Sequence, residues 1–188
     1  MDGPVSFDRK LLMVARTRGH SRGRERVIAS YSRLGEHAAC WLALGLAGAA
    51  LDPERRERWL RGAAVVAGSY VANYAVKISV RRHRPQLDGL PPLSPVVSRL
   101  SFPSAHATTS FAAARVYSGL VPATALYLAA GAFAVSRPYL GVHYPSDVLA
   151  GAALGTVVAG AAGRVLATPA RRCAAGADAG VRDGEGGR

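Results

Sequence analysis

Between Gly62 and Val80 the chain runs for nineteen residues with a single charge, Lys77. A helix of about this length crosses the ~30 Å hydrocarbon core of a bilayer. Backbone in hydrocarbon must satisfy its own hydrogen bonds, so such a segment is confined to an α-helix. A lysine near its end marks a functional position, because charge at membrane depth is costly. A second apolar run, residues 147–167, carries Gly151, Gly155, Gly160 and Gly163, small residues of the kind that let helices approach closely in lipid. These two runs favour a membrane bundle over a soluble all-helical protein.

The rest of the chain divides around prolines and charge. Residues 1–36 hold the short apolar stretch 11–15 between Arg9, Lys10, Arg16 and Arg18. It is too short to span and suits a helix lying at the interface with its arginines snorkelling. A second helical pattern begins near Arg24 and continues through the apolar run 38–51, as one long helix. After the 62–80 span, prolines at 85, 91, 92, 95 and 103 predict a loop. Helices are expected over 104–120, 122–136 and 146–167, with 169–188 a disordered polar tail. The expected fold is therefore all-α: a membrane helical bundle of about five spans with an N-terminal interfacial helix. Residues 1–36 form the interfacial segment and 37–168 the catalytic domain.

The net charge of +12 suits anionic lipid headgroups. With no base-reading or stacking set, nucleic acid is not an expected partner. Cys40 and Cys173 stand in an apolar run and a polar tail, so both read as free thiols.

Three blocks in the second half carry the chemistry: Lys77 with Arg84-Pro85, then Pro103-Ser104-Ala105-His106, then Ser136-Arg137 with His143 and Asp147. Antiparallel helices bring all three to one end of the bundle. Ser104 reads as an N-cap, which would aim free backbone N–H groups at an anion. Pro145 fits the first turn of the last helix, so Asp147 can accept a hydrogen bond from one nitrogen of His143 and expose the other as a nucleophile. Taken singly, Arg84 and Arg137 read as snorkelling charges and His106 as a structural hydrogen bonder. His143 with Asp147 is at most half a metal site, short of about three protein ligands. His20, His37 and His83 show no matching spacing. In this order and spacing, Lys77, Arg84, Ser104, Ala105, His106, Arg137, His143 and Asp147 read as one phosphate site.

The blocks resemble the motifs of the type 2 phosphatidic acid phosphatase (PAP2) superfamily. Lys-x6-Arg-Pro is matched at 77–85, Pro-Ser-Gly-His at 103–106 with Ala105 in place of Gly, and Ser-Arg-x5-His-x3-Asp at 136–147. The resemblance implies that His143 attacks phosphorus, Asp147 orients it, and His106 protonates the leaving group. It implies that Lys77, Arg84, Ser104, the Ala105 N–H and Arg137 hold the phosphate oxygens, and that no metal is needed. The implied function is a metal-independent phosphatase of a membrane lipid phosphate in a bacterial plasma membrane. The short, Arg/Ala-rich chain is similar to small actinobacterial members that act on decaprenylphosphoryl-5-phosphoribose. Undecaprenyl pyrophosphate, phosphatidylglycerophosphate and phosphatidic acid are the alternative substrates. A vanadium haloperoxidase and a non-catalytic lipid-phosphate binder are the rival functions.

Overall fold

The computed structural model describes residues 6–179 apart from residue 97, with side chains described as far as Arg164. Its helices are α1 (Phe7–Thr17), α2 (Arg22–Leu34), α3 (Ala39–Leu51), α4 (Arg56–Val80), α5 (Ala105–Tyr117), α6 (Ala123–Tyr139) and α7 (Pro145–Ala179). Among the described residues there is no strand, only isolated bridges such as His83 with Leu100.

The bundle is arranged around α5, which packs against α4, α6 and α7. Its buried residues are nearly all small: Ala107, Thr108, Thr109, Ser110, Ala112, Ala113 and Ala114, ending on Tyr117. Short side chains let neighbouring backbones close in. On α7, Gly151 and Gly155 supply the other half of that contact. A Cβ at Gly155 would collide with the Thr108 carbonyl. The remaining glycines of that run do something else: Gly163 has open space where a Cβ would sit.

The large exposed apolar side chains include Leu46, Val71, Ile78, Leu128, Val135, Leu149 and Val157. The fully buried set includes Asn73, Thr108, Thr109, Ser32, Ser69 and Asp147. Apolar groups outside and polar groups within is the arrangement that a lipid solvent favours. Pro53–Val80 and Pro145–Arg164 are long and apolar enough to cross a membrane, and the bent pair formed by α2 with the segment Glu36–Leu51 adds a third candidate. α5 and α6, with 13 and 17 residues, are about 20 and 26 Å long.

Four expectations are corrected. The single helix expected from residue 24 to 51 is two, bent by 48° at a 3-10 turn, Glu36–Ala38. His37 and Ala38 there adopt left-handed φ values of 52° and 62°, a conformation that costs an L-residue roughly 1–2 kcal/mol. The bend coincides with a close approach to the site. A Cβ at Gly35 would stand 2.8 Å from the Phe133 ring and 2.9 Å from His106, so the chain turns where it presses on the site. Secondly, α6 runs beyond residue 136 and places Arg137 in its last turn, with Pro138 inside the helix. Thirdly, Arg16 does not snorkel. It is buried, donating to the Pro91 carbonyl at 2.8 Å and the Tyr139 carbonyl at 3.3 Å. Fourthly, α7 continues to Ala179 where a disordered tail was expected from residue 169; residues 180–188 of that tail lie outside those described. Cys40 is half-buried with a free thiol, and the Cys173 side chain is outside the described residues.

Gly155→Val is expected to lower stability by about 1–3 kcal/mol through overpacking, and Gly163→Ala to leave it near wild type. Thermal unfolding of the two variants in the same detergent measures the difference.

Candidate active site

The three motif blocks meet at one end of the bundle, around a cavity of about 150 Å³ lined by Lys77, Arg84, Ala105, His106, Arg137 and His143. A larger cleft of about 750 Å³, lined by Arg58, Arg61, Arg115 and Arg164, offers no imidazole, carboxylate or hydroxyl.

Each cation is positioned by oxygen atoms of a different element. Lys77 ends a polar stripe on α4, with Ser69 and Asn73 at four-residue steps and all three buried. Its ammonium donates to the Pro103 carbonyl at 3.0 Å and the Leu100 carbonyl at 3.4 Å. Asn73 donates to the same Pro103 carbonyl at 3.2 Å and to Thr108 Oγ1 at 2.8 Å, which fixes the start of α5 against α4. Arg84 donates from Nε to the Ser98 carbonyl at 2.6 Å and from Nη1 to the Val142 carbonyl at 2.7 Å. Arg137 donates to Ser32 Oγ, leaving its Nε without a partner.

His143 is buried in the α6–α7 loop. Its Nε2 lies 3.1 Å from Arg84 Nη1. A guanidinium only donates, so Nε2 is the acceptor and carries the lone pair. Burial, then the facing charges of Arg84, Arg137 and Lys77, hold the imidazole well below its ordinary pKa. Burial likewise draws Arg84 down to about 10, which leaves it charged at neutral pH. The other ring nitrogen, Nδ1, stands 3.6 Å from Asp147 Oδ2. That is longer than the hydrogen bond expected from the sequence. The carboxylate is occupied elsewhere: Oδ2 accepts from the Tyr144 N–H at 2.9 Å, and Oδ1 accepts from Arg82 at 2.9 Å.

His106 sits in the first turn of α5. Its Nε2 donates to the Ser32 carbonyl at 3.0 Å, since a carbonyl can only accept. Nδ1 is therefore the nitrogen available for proton transfer. Ser104 has the backbone of an N-cap but makes no capping bond. Its own N–H is taken by the Asp147 carbonyl at 2.9 Å, and its buried hydroxyl has no partner. Ala105 lines the cavity, keeping a backbone N–H where the motif pattern has Gly.

Among the described residues, four buried side-chain polar atoms lack a hydrogen-bond partner, and three are Ser104 Oγ, Arg137 Nε and His143 Nδ1. Buried polar atoms are normally satisfied. Arg137 Nε belongs to a residue that lines the cavity, Ser104 Oγ to the motif block at the start of α5, and His143 Nδ1 faces Asp147 Oδ2 at 3.6 Å. Two of these donors, three cations and a neutral imidazole suit an oxyanion that is attacked once bound.

Sequence reasoning missed several residues here. Asn73 was legible as the polar step four residues before Lys77. Arg82 lies inside the first motif at a position its pattern leaves open. Ser32 gave no signal, because its contacts come from a separate helix. Glu36, His37 and Tyr70 also line the cavity, with His37 Nδ1 2.9 Å from the Tyr70 hydroxyl. His37 shows no matching spacing in the sequence, since its partner lies 33 residues away. Among the described residues no group of three or more His, Cys, Asp or Glu could hold a metal ion.

Comparison with known proteins agrees with this geometry. The PAP2 superfamily profile matches residues 58–169. The decaprenylphosphoryl-5-phosphoribose phosphatase of Mycolicibacterium smegmatis is 45% identical over 123 residues, covering 64% of this chain and 67% of the relative. That of Mycobacterium tuberculosis is 42% identical over 130 residues, covering 68% and 72%. The fold is similar to that of Aquifex aeolicus LpxE, with a TM-score of 0.65 at 21% identity over 82% of this chain and 93% of the other. It is also similar to the PAP2 type phosphatidylglycerolphosphate phosphatase of Bacillus subtilis, with a TM-score of 0.67 at 22% identity over 84% and 83%. The chain is a lipid phosphatase, a phosphoric monoester hydrolase, and belongs to the PAP2 superfamily.

Proposed function

We propose that this phosphatase removes the phosphomonoester of decaprenylphosphoryl-5-phosphoribose, leaving decaprenylphosphoryl-ribose. We place it in a bacterial plasma membrane as a bundle of five spans, made of the α2–α3 pair, α4, α5, α6 and α7. The short α5 is consistent with that count, because it is enclosed by its neighbours and need not match the bilayer by itself. The catalytic unit takes in 37–168 together with parts of the interfacial segment 1–36, which contributes Ser32 and Glu36.

The observation that carries the reaction is the cluster of unpartnered donors around a lone-pair-bearing His143. Lys77, Arg84, Ser104, the Ala105 N–H and Arg137 bind the phosphate oxygens. Arg84 then exchanges its bond to His143 Nε2 for one to phosphate. Nε2 forms a bond to phosphorus as the ester P–O bond breaks, and His106, which enters the step as the imidazolium with a proton on Nδ1, delivers that proton to the departing alkoxide. Asp147 balances the positive charge that develops on the His143 ring. Water next attacks phosphorus, giving its proton to His106, and the N–P bond breaks to release phosphate. Catalysis rests on positioning and fixed charge.

The substrate assignment draws on the 42–45% identical relatives and on the lining of the cavity. A space of about 150 Å³ suits a headgroup and leaves the isoprenoid in lipid, beside the exposed Val71, Tyr74 and Ile78 of α4. Glu36 is a carboxylate in a cavity otherwise charged for phosphate. It repels phosphate and accepts hydrogen bonds from hydroxyls, which a ribose between phosphate and lipid supplies.

Three outcomes test the proposal. His143→Ala is expected to lose at least ~10⁴-fold in phosphate release in the presence of EDTA; retained activity would refute the phosphohistidine route. Glu36→Gln should lower kcat/KM roughly tenfold for the prenylphosphoryl-phosphoribose, the weight of one hydrogen bond to a charged group at about 1.5 kcal/mol. Phosphatidic acid turnover should be unchanged, and equal losses on both would remove the sugar from the argument. Finally, because a depressed imidazole pKa keeps the lone pair free as pH falls, ¹⁵N NMR of the ligand-free enzyme should find His143 titrating below 6.5. A ring that titrates at or above that value would contradict the assignment.

A further inference from the structure

Behind the cavity, Asp147 is tied to the N-terminal helix by a chain of charged bonds that the motifs do not contain. Arg82 Nη1 donates to Asp147 Oδ1 at 2.9 Å and to Ser146 Oγ at 2.7 Å. Arg82 Nη2 donates to Asp8 Oδ2 at 2.7 Å. Asp8 Oδ1 accepts the Ser146 N–H at 3.0 Å, and the Ser146 hydroxyl also meets Asp8. The guanidinium lies 4.1 Å from the centre of the Tyr144 ring. One planar cation is thus held on both edges and one face, with a carboxylate at each end. Burial raises the Asp8 pKa, but the bonds from Ser146 and Arg82 outweigh it and keep the carboxyl ionised.

We propose that Arg82 and Asp8 are positioning residues that hold the Asp147 carboxylate in the orientation His143 requires, so that the first turn of α1 is tied to the site. Asp147 Oδ2 faces both the Tyr144 N–H at 2.9 Å and His143 Nδ1 at 3.6 Å. Rotation about the last side-chain torsion of an aspartate is soft; the Tyr144 N–H and the Ser101 side chain also bind the carboxylate, and Arg82 on Oδ1 is the charged bond that resists rotation. Arg82 is itself partly open to solvent, and a flexible guanidinium there needs an anchor. Asp8, 138 residues from Ser146 in the chain, is that anchor. The inference rests on the assignment of His143 and Asp147 to the reaction and is independent of which lipid is cleaved.

The test uses the full-length protein in detergent, with Asp8→Asn, Arg82→Gln, the double variant and Arg16→Gln. Arg16 clamps the same helix through the Pro91 and Tyr139 carbonyls, without reaching Asp147. Turnover is measured on a prenylphosphoryl-phosphoribose and on phosphatidic acid, so a wrong substrate assignment appears as wild-type preference and leaves the variants scored on whichever ester is cleaved. Inhibition by orthovanadate, which takes the geometry of the transferring phosphoryl group, scores them on a separate scale. Asp8→Asn and Arg82→Gln should each lower kcat roughly 10- to 100-fold, the usual weight of a residue that orients a reacting group from behind, with KM little changed and vanadate weakened in proportion. The double variant should be no worse than Arg82→Gln, because the two act as one unit. Arg16→Gln should lower the melting temperature while keeping kcat near wild type. Wild-type kcat in Asp8→Asn would overturn the relay. So would an equal kcat loss in Arg16→Gln, which would mean that docking of α1 alone matters.

Discussion

Three cations, Lys77, Arg84 and Arg137, converge on one small cavity at the end of an apolar bundle, and much of the structure serves to hold them there. Like charges brought together and partly desolvated oppose folding. The fold offsets this with fixed oxygen atoms rather than carboxylates. Lys77 is met by the Pro103 and Leu100 carbonyls, Arg84 by those of Ser98 and Val142, and Arg137 by the Ser32 hydroxyl. Neutral partners orient the cations without cancelling them, so the site retains its attraction for a phosphate dianion. Asp147, whose carboxylate stands 3.6 Å from the His143 ring, is engaged instead by Arg82.

Such a cradle requires backbone at close quarters, and α5 provides it. Its small buried side chains and the bare face of α7 at Gly151 and Gly155 bring Ser104, Ala105 and His106 up against the start of α7. The Ser104 N–H reaches the Asp147 carbonyl, joining the second and third motifs directly. The bend at Glu36–Ala38 performs the same task from the other side. It brings the Ser32 carbonyl to His106 and Glu36 to the cavity, at the expense of two left-handed residues. Backbone strain beside a functional site is a common association, and here it accompanies the polar rim that Glu36, His37 and Tyr70 give the cavity.

Much of the fold was legible in particular residues. The 62–80 run required a helix, Pro145 opened α7 where expected, and Ser104 marked the start of α5. The proline-rich stretch 81–103 was readable as a loop, and Lys77 stood out as a lone charge in an apolar span. The errors came where tertiary contacts decide. Residues 24–51 read as one helical pattern, and the break at Glu36–Ala38 falls where Gly35 packs against His106 and Phe133. Arg16 looked like a snorkelling charge because its carbonyl partners lie 75 and 123 residues away.

The sequence by itself determined the chemistry available: an all-helical membrane chain, three ordered motifs, and an inventory of cations, imidazoles and one carboxylate suited to phosphate. Spacing along a helix and the length of an apolar run are local properties, so they survive without coordinates. The tertiary structure alone decided which nitrogen of each histidine is free, because that depends on whether a guanidinium or a carbonyl faces the ring. It also decided that Asp147 engages Arg82 more closely than His143, and that Asp8, Ser32 and Glu36 belong beside the site. Those residues are distant in sequence and ordinary in type. Nothing marks them until the packing of α5 against its neighbours brings their helices to the same end of the bundle.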